Sequence, residues 1–226
     1  MKKTVRVMLA ALMILAVCGC ALAETVYVSI STGDGKLPLA YVPVEANDLD
    51  GDGILTIDEV LCCAHEAAYE GGAAAGYISE ETEYGKSMYR LWGEENSGSY
   101  GYYVNNISGI SLLDPVKDGD HVKAYAYQDL DMWSDTYSNF ASPTVEYAVG
   151  ESAAFVLSAQ TFDANWNPVT IPVEGAVITI NGEDSAVVTG ADGSAAIVFD
   201  EAGEYVISAR SDSMTLVPPV CIVTVI

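Results

Sequence analysis

The sequence predicts an α+β first domain, a β-sheet with one or two helices, followed by an all-β sandwich domain. Composition divides the chain near residue 142: most tyrosines and both histidines precede this point, and Val, Ala, Ile and Thr dominate after it. Before the divide, strand-like alternation is mixed with helical spacing of apolar residues, whereas after it short strand-like runs recur about every ten residues. The predicted domains are therefore residues 24–142 and 143–226.

The first domain is predicted to open with two strands and a helix. Residues 25–32 alternate apolar and polar side chains, and residues 39–44 form a second extended run in which Pro43 argues against a helix. Residues 56–69 place Ile, Val, Leu and Ala at helical spacing, and a following Gly-Gly pair predicts the end of that helix. The expected unit is thus strand, loop and helix.

Three further elements are predicted before residue 142. Residues 84–92 carry Met88 and Leu91 at helical spacing, so we expect a short second helix there. Residues 100–104 and 121–127 are rich in Tyr, Val and Ala and are predicted to be paired strands, the second of which follows an Asp-Gly-Asp turn.

Residues 48–59, between the second strand and the first helix, have the spacing of a calcium loop of the EF-hand type. Carboxylates stand at loop positions 1, 3 and 5, glycine at position 6 permits a sharp turn, and glutamate closes position 12. Alternate residues of such a loop can point oxygen atoms at a large, hard cation. The predicted Ca²⁺ ligands are Asp48, Asp50, Asp52, the carbonyl of Ile54, Thr56 and Glu59. The alternative is a solvated Asp/Gly-rich turn.

The N-terminus has the features of an export signal. Lys2, Lys3 and Arg6 precede an apolar run that ends in a small-x-small pattern, which predicts cleavage after Ala23. That run is short for a membrane span and no stop-transfer segment follows it, so the mature chain is expected to have no membrane span.

A lipid anchor is the alternative to free secretion. Cys18 and Cys20 lie near the end of the apolar run, where a lipoprotein signal would place its cysteine, but bulky Val17 precedes the first of them. We favour a freely secreted or cell-surface protein without this anchor.

Charge and cysteine content restrict the partners and the redox chemistry. Residues 1–23 carry three positive charges and no negative one, so their removal would lower the formal net charge from −23 to −26. Nucleic acid and anionic membrane surfaces are disfavoured as partners because both would repel such a chain. The mature chain keeps Cys62, Cys63 and Cys221, an odd number that leaves buried thiols or one bridge to Cys221 as the options.

The second domain is predicted to contain short strands separated by turns such as Asp192-Gly193, which is a hairpin signal. The runs are residues 153–159, 176–180, 186–189, 195–199, 205–209 and 221–225. Residues 172–176, Pro-Val-Glu-Gly-Ala, and 203–205, Gly-Glu-Tyr, resemble bacterial Ig-like surface modules. The resemblance implies an Ig-like β-sandwich that acts as a spacer or an adhesive unit.

A second resemblance concerns the first domain. Residues 97–106, Ser-Gly-Ser-Tyr-Gly-Tyr-Tyr-Val-Asn-Asn, and 116–122, Val-Lys-Asp-Gly-Asp-His-Val, resemble a bacterial extracellular domain of unknown function that is similar to the C-terminal domain of transcobalamin and intrinsic factor. The resemblance covers about residues 24–140 and implies a small domain with a sheet against a helix. Because this domain closes over cobalamin in the vitamin carriers, the resemblance also implies a corrinoid as a candidate ligand.

Aromatic side chains concentrate in the first domain. Rings with polar tips suit sugar faces, a corrinoid edge or a protein partner, and packing in a core is the alternative. Alternation along residues 100–104 places Tyr103 on the face opposite its two tyrosine neighbours. The candidate ligand-binding residues are Tyr84, Tyr89, Trp92, Tyr100, Tyr102, Tyr103 and Trp133.

No catalytic arrangement stands out in the sequence. His65 and Cys62 could share a helix face, but Zn²⁺ normally needs three or four protein ligands, so structural roles are expected. The expected function is that of a secreted or cell-surface, calcium-binding and non-catalytic module for an extracellular small ligand, glycan or protein. Corrinoid or other cofactor capture is one alternative, and an enzyme acting on extracellular glycan or peptide is another. The sequence leaves the oligomeric state open.

Overall fold

A computed structural model describes residues 23–226 of the chain. The predicted signal sequence, including Cys18 and Cys20, lies outside these residues, and the predicted cleavage residue Ala23 is exposed at their start. Within residues 23–226, no helix has the length and apolar character needed to cross a membrane.

The secondary structure is dominated by strands. The first half contains β1 Glu24–Ser31, β2 Leu39–Ala46, α1 Ile57–Ala68, α2 Gly72–Gly76, β3 Ile78–Thr82, β4 Gly85–Arg90, β5 Tyr100–Val104, β6 Ile107–Ser108 and β7 His121–Ala126. The second half contains β8 Thr136–Phe140, β9 Thr144–Tyr147, β10 Ser152–Phe162, β11 Pro168–Pro172, β12 Val177–Ile180, β13 Glu183–Val188, β14 Ser194–Val198, β15 Gly203–Arg210, β16 Leu216–Val217 and β17 Cys221–Val225.

The predicted fold class, an α+β domain followed by a separate sandwich, is wrong. Residues 23–226 are nearly all β, with 49% in strands and 8% in helices. Residues 84–92, predicted as a second helix, instead contribute β4, which pairs antiparallel with β3 across a turn at residues 83–84 and begins at Gly85 (φ 105°). Moreover, β8 precedes the predicted boundary at residue 142 but pairs with β10 of the sandwich, so the sandwich is not a separate unit.

The first sheet has the strand order β2-β1-β7-β5-β6, with β1 and β7 parallel at its centre. Helix α1 starts at a capping box formed by Thr56 and Glu59 and packs across one face of the sheet. Their shared core consists of apolar side chains with 0% exposed surface, namely Val26, Val28, Ile30, Ile57, Val60, Leu61, Ala64, Val122 and Ala124. The helix predicted over residues 56–69 is therefore confirmed.

The second half folds into two packed sheets. One sheet has the order β11-β10-β8-β16, with β14 also paired to β10, and the other has the order β13-β12-β15-β17-β9. The chain leaves β8, which is antiparallel to β10, and crosses at Pro143 into β9, which is parallel to β17. This split first strand, with β10 and β14 facing β12, β15 and β17, is the strand arrangement of an Ig-like sandwich.

The hairpin predicted at Asp192-Gly193 is wrong, because β13 pairs with β12 in one sheet and β14 pairs with β10 in the other. Gly193 has φ 75°, and a Cβ atom there would lie 2.3 Å from the carbonyl oxygen of Leu157. The chain therefore crosses between the sheets at this turn, where the backbones approach so closely that only glycine fits.

The first sheet and the sandwich meet along a seam, which we define by two apolar clusters. In one cluster Ala40 of β2 packs with Val220 and Ile222 of the sandwich. In the other, tyrosines on the sheet face opposite α1 pack against Tyr137 of β8 and Val217 of β16. The seam thus covers the second face of the first sheet.

Candidate functional site

The acidic loop of residues 48–59 brings three of its predicted ligands together. Carboxylate oxygens of Asp48, Asp50 and Asp52 all lie within 4.8 Å of one another. Gly51 and Gly53 reverse the chain between them with φ values of 79° and 90°, which L side chains rarely adopt. Glycine at loop position 6 therefore does what the predicted calcium loop requires of it.

Backbone amides of the loop hold these carboxylates in place. The Asp48 oxygens accept hydrogen bonds from the Gly51 N–H at 2.6 Å and the Gly53 N–H at 2.7 Å. These bonds, the Gly53 one foremost, lower the pKa of the Asp48 carboxyl. The carboxylates repel one another by on the order of 1 kcal/mol per pair in water. A cation among them would relieve that repulsion.

The other predicted ligands have different surroundings. Glu59 is 6% exposed, and its Oε2 accepts hydrogen bonds from the Thr56 N–H at 3.0 Å and the Thr56 hydroxyl at 2.9 Å. Its Oε1 accepts from the Leu49 N–H at 2.6 Å, which ties the start of the loop to α1. Ile54 is exposed at the loop surface. The structure therefore joins three aspartates and places Thr56 and Glu59 in the helix cap.

The sequence analysis missed the contacts of a buried acid that lies next to Glu59, at the end of the acidic loop. Asp58 lies in the first turn of α1, forms an ion pair with Lys86 of β4, and accepts a hydrogen bond from the Tyr77 hydroxyl at 2.7 Å. Burial and the neighbouring Asp58 carboxylate raise the pKa of Tyr77 well above its usual value. The sequence did not predict this contact, because Lys86 lies in the segment that was predicted to be a helix and not a strand.

Four of the predicted aromatic ligand residues are largely used in packing. Trp92, Tyr100 and Tyr102 pack against the core under α1. Tyr103 projects from the opposite face and stacks on Tyr137, with 3.5 Å between ring centroids. Because these side chains lie on two faces of the first sheet, they do not form one binding surface.

The remaining three aromatic residues are exposed at separate places. Tyr84 is 91% exposed at the turn between β3 and β4, and Tyr89 is exposed on β4. Trp133 is 60% exposed, and its indole N–H donates a hydrogen bond to the Ser99 hydroxyl at 3.1 Å. In residues 23–226, these three rings are therefore exposed to solvent at different positions of the fold.

His65 is a fixed structural element of the first core. Its Nδ1 donates a hydrogen bond to the Leu61 carbonyl at 2.6 Å, and its Nε2 accepts one from the backbone N–H of Trp92 at 2.9 Å. This pair of bonds requires the neutral ring. Both nitrogen atoms are therefore occupied, and the ring has no lone pair left to share a metal with Cys62. Cys62 and Cys63 are half-buried on α1, Cys221 is buried in the sandwich core, and all three are free thiols.

Acid should destabilise the protein through His65. Burial lowers the pKa of His65 from 6.5 to about 4. Between pH 6.5 and pH 4, His65 is therefore protonated in the unfolded chain but neutral in the folded chain. We expect its contribution to the free energy of unfolding to fall by about 2 kcal/mol from pH 7 to pH 4.5. Urea unfolding at both pH values should show this loss in the wild type and a loss smaller by that amount in His65→Gln. An identical loss in the two proteins would contradict it.

A second feature, not foreseen from the sequence, is a cleft of about 220 Å³ at the seam. Its first wall includes Tyr41, His121 and Lys123 from the first sheet, and its second wall includes Phe140 and Val220 from the sandwich. We call it the seam cleft. Lys123 alternates with Val122 and Ala124 along β7, so it lies on the face opposite α1, where the sequence alone predicts solvent.

Lys123 is 2% exposed and has an unusual environment for a lysine. Its ammonium donates a hydrogen bond to the Ser138 carbonyl at 3.0 Å and lies 4.7 Å from the centroid of the Tyr137 ring. Burial lowers its pKa from 10.5 to about 7. His121 contacts the Ser29 hydroxyl at 2.9 Å, and burial and the nearby Lys123 lower the pKa of His121 to about 3.

Comparisons with known proteins give little beyond this geometry. No protein-family model matches the chain, and no curated protein matches it. Among solved structures, the N-terminal four Ig domains of Dscam1 isoform 9.44 match at 12% identity and a TM-score of 0.26, over 65% of this chain and 31% of that one. Those of isoform 4.44 match at 11% identity and a TM-score of 0.27, over 91% of this chain and 44% of that one. This chain thus spans less than half the length of either structure, and at such scores the matches carry no argument. The Ig-like fold rests on the strand order described above.

Proposed function

We propose that this chain is a secreted or cell-surface, non-catalytic binding module whose acidic loop binds Ca²⁺. The Ig-like sandwich supports a role in binding, since many cell-surface domains share this architecture. The observation that carries the calcium proposal is the trio of Asp48, Asp50 and Asp52, whose carboxylates lie within 4.8 Å of one another in a loop that glycines turn.

Calcium suits this loop better than a softer or smaller ion. Carboxylate and carbonyl oxygens are hard ligands, and Ca²⁺ accepts six to eight of them in flexible geometry, whereas Mg²⁺ demands a near-ideal octahedron. The carbonyl of Ile54 and ordered water would complete the shell. A single loop of this kind fits the weak affinities of extracellular modules, about 10⁻⁴ M or weaker. Bound calcium would fix the connection between β2 and α1.

Calcium should stabilise the mature chain, residues 24–226. With a Kd of about 10⁻⁴ M, 10 mM CaCl₂ adds about 2.7 kcal/mol to the free energy of unfolding. For a chain of this size that corresponds to a rise in Tm of roughly 5–10 °C over a sample in chelator. Differential scanning calorimetry with CaCl₂, with MgCl₂ and with EGTA would measure it.

The matched variants are Asp48→Asn with Asp52→Asn in the loop, and Asp131→Asn with Asp200→Asn at two exposed acids elsewhere in the chain. The first pair should lose the calcium-dependent rise while keeping or raising the Tm in EGTA, because it removes repulsion between carboxylates. The second pair should behave as the wild type. A rise of equal size in the first pair would refute the site.

The partner of the module is proposed only as a class: an extracellular protein, glycan or small ligand. Tyr84, Tyr89 and Trp133 are the predicted binding residues that lie exposed. Corrinoid capture and catalysis on glycan or peptide stay predictions from the sequence, since no specific observation in residues 23–226 favours either of them.

A further inference from the structure

The seam cleft contains a buried cation without a counter-charge. Within residues 23–226, no carboxylate oxygen lies within 4.0 Å of the Lys123 ammonium, although other lysines and arginines of the chain form ion pairs. The formal net charge of the chain is −23, so carboxylates are abundant elsewhere. An unpaired buried ammonium is costly, and such groups are normally paired or bound to a ligand.

The surroundings of Lys123 are arranged as a binding site would be. One wall carries the charge of Lys123, and the neutral ring of His121 projects from β7 toward the same side. The facing wall carries the apolar side chains of Phe140, Pro143 and Val220 from the sandwich, with Asn139 beside them. The Ser138 carbonyl accepts one of the three ammonium hydrogens and the Tyr137 ring lies beside the ammonium, but no second oxygen or nitrogen acceptor among the described residues is within hydrogen-bond distance.

We propose that the seam cleft binds a small organic monocarboxylate, with the Lys123 ammonium as the partner of the carboxylate and the apolar wall against the rest of the molecule. A single ammonium matches one negative charge. A phosphate dianion would call for a further cationic side chain, and Lys123 is the only lysine or arginine among the described residues that line the cleft. The volume of about 220 Å³ limits the ligand to a small acid, on the scale of benzoate.

Lys123 carries the positive charge in a substantial share of molecules at neutral pH, because burial lowers its pKa only to about 7. A bound carboxylate would favour the charged form and raise this pKa again. This site is independent of the calcium loop: the two share no residue, and neither proposal needs the other to hold.

The probes are sodium benzoate, sodium acetate and the neutral analogue benzyl alcohol, each titrated to 20 mM at constant ionic strength. We expect benzoate to raise the Tm of the mature chain by a few degrees and benzyl alcohol to leave it unchanged. Lys123→Met should lose the benzoate response, and Lys117→Met, which removes an exposed lysine, should keep it. The pair Asp48→Asn with Asp52→Asn should also keep it, which separates failure of this proposal from failure of the calcium one.

A second measurement does not depend on a variant that folds. In ¹⁵N–¹H correlation spectra of the wild type, benzoate should shift the amide signals of residues around the cleft, such as Tyr41, Asn106 and Phe140, and leave those of residues 48–59 in place. Absence of shifts at 20 mM, shifts confined to other surfaces, or an undiminished response in Lys123→Met would each overturn the proposal.

Discussion

Lys123→Met should make the protein more stable at pH 7, by a net amount of roughly 3 kcal/mol. The folded-state pKa of Lys123 is about 7 against an ordinary value of 10.5, so the folded chain loses stability as pH falls from 10.5 to 7. At pH 7 this loss amounts to about 4 kcal/mol, and methionine removes it while giving up a hydrogen bond worth about 1 kcal/mol. Replacement of a buried charge by an apolar side chain of similar length often stabilises a protein.

Urea unfolding at pH 7.0 and pH 8.5, in chloride buffers free of carboxylate, would measure this effect. The wild type should gain about 1.5 kcal/mol between the two pH values, because Lys123 loses its proton in the folded chain first. The window ends at pH 8.5 because thiols and tyrosines with raised pKa values begin to reduce stability above it. Lys117→Met serves as the control. If Lys123→Met retained the wild-type slope, the buried-amine interpretation would fail.

Asp58→Ala should destabilise the protein by about 3 kcal/mol, the lower end of the range for breaking a buried ion pair. The substitution leaves the Tyr77 hydroxyl buried without its acceptor and leaves Lys86 without its partner. The lower end applies because the Lys86 side chain is 26% exposed and water can solvate it in part. Asp131→Ala, in an exposed position, should change the free energy of unfolding by less than about 0.5 kcal/mol.

A double-mutant cycle with Tyr77→Phe would separate the two contacts of Asp58. Removal of the hydroxyl eliminates the unpaired donor, so Asp58→Ala should cost about 1 kcal/mol less in the Tyr77→Phe background. Equal costs in both backgrounds would show that the hydrogen bond between Tyr77 and Asp58 contributes nothing to stability.

The sequence predicted those elements whose signal is local and long. The twelve residues of α1 show helical spacing over three turns, and the capping residues Thr56 and Glu59 mark its start. In residues 84–92, Met88 and Leu91 fit a short helix and a strand end equally well, and the pairing of β4 with β3 decided the outcome. Strand β11 was missed because prolines stand at both of its ends, which demotes a run to an edge strand.

The same distinction applies to the candidate sites. The aspartate trio follows from the spacing within one loop, so the sequence could predict it. The exposed Tyr84 and the stacked Tyr103 could not be told apart, since exposure depends on which faces the sheets cover. Lys123 is a candidate because β8 packs against the second face of β7 and buries it. No pattern of neighbouring residues in the sequence predicts this contact.

The split strand of the sandwich determines where this chain can be cut. A fragment that begins at residue 143 would retain β9 but lack β8, and the segment Leu157–Ala159 of β10 would lose its neighbour on the side opposite β11. Unpaired backbone donors and acceptors on such an edge recruit strands from other molecules, so the fragment would be prone to self-association. The first sheet and the sandwich therefore behave as parts of one foldable piece, and β8 is the segment that makes them inseparable by simple truncation.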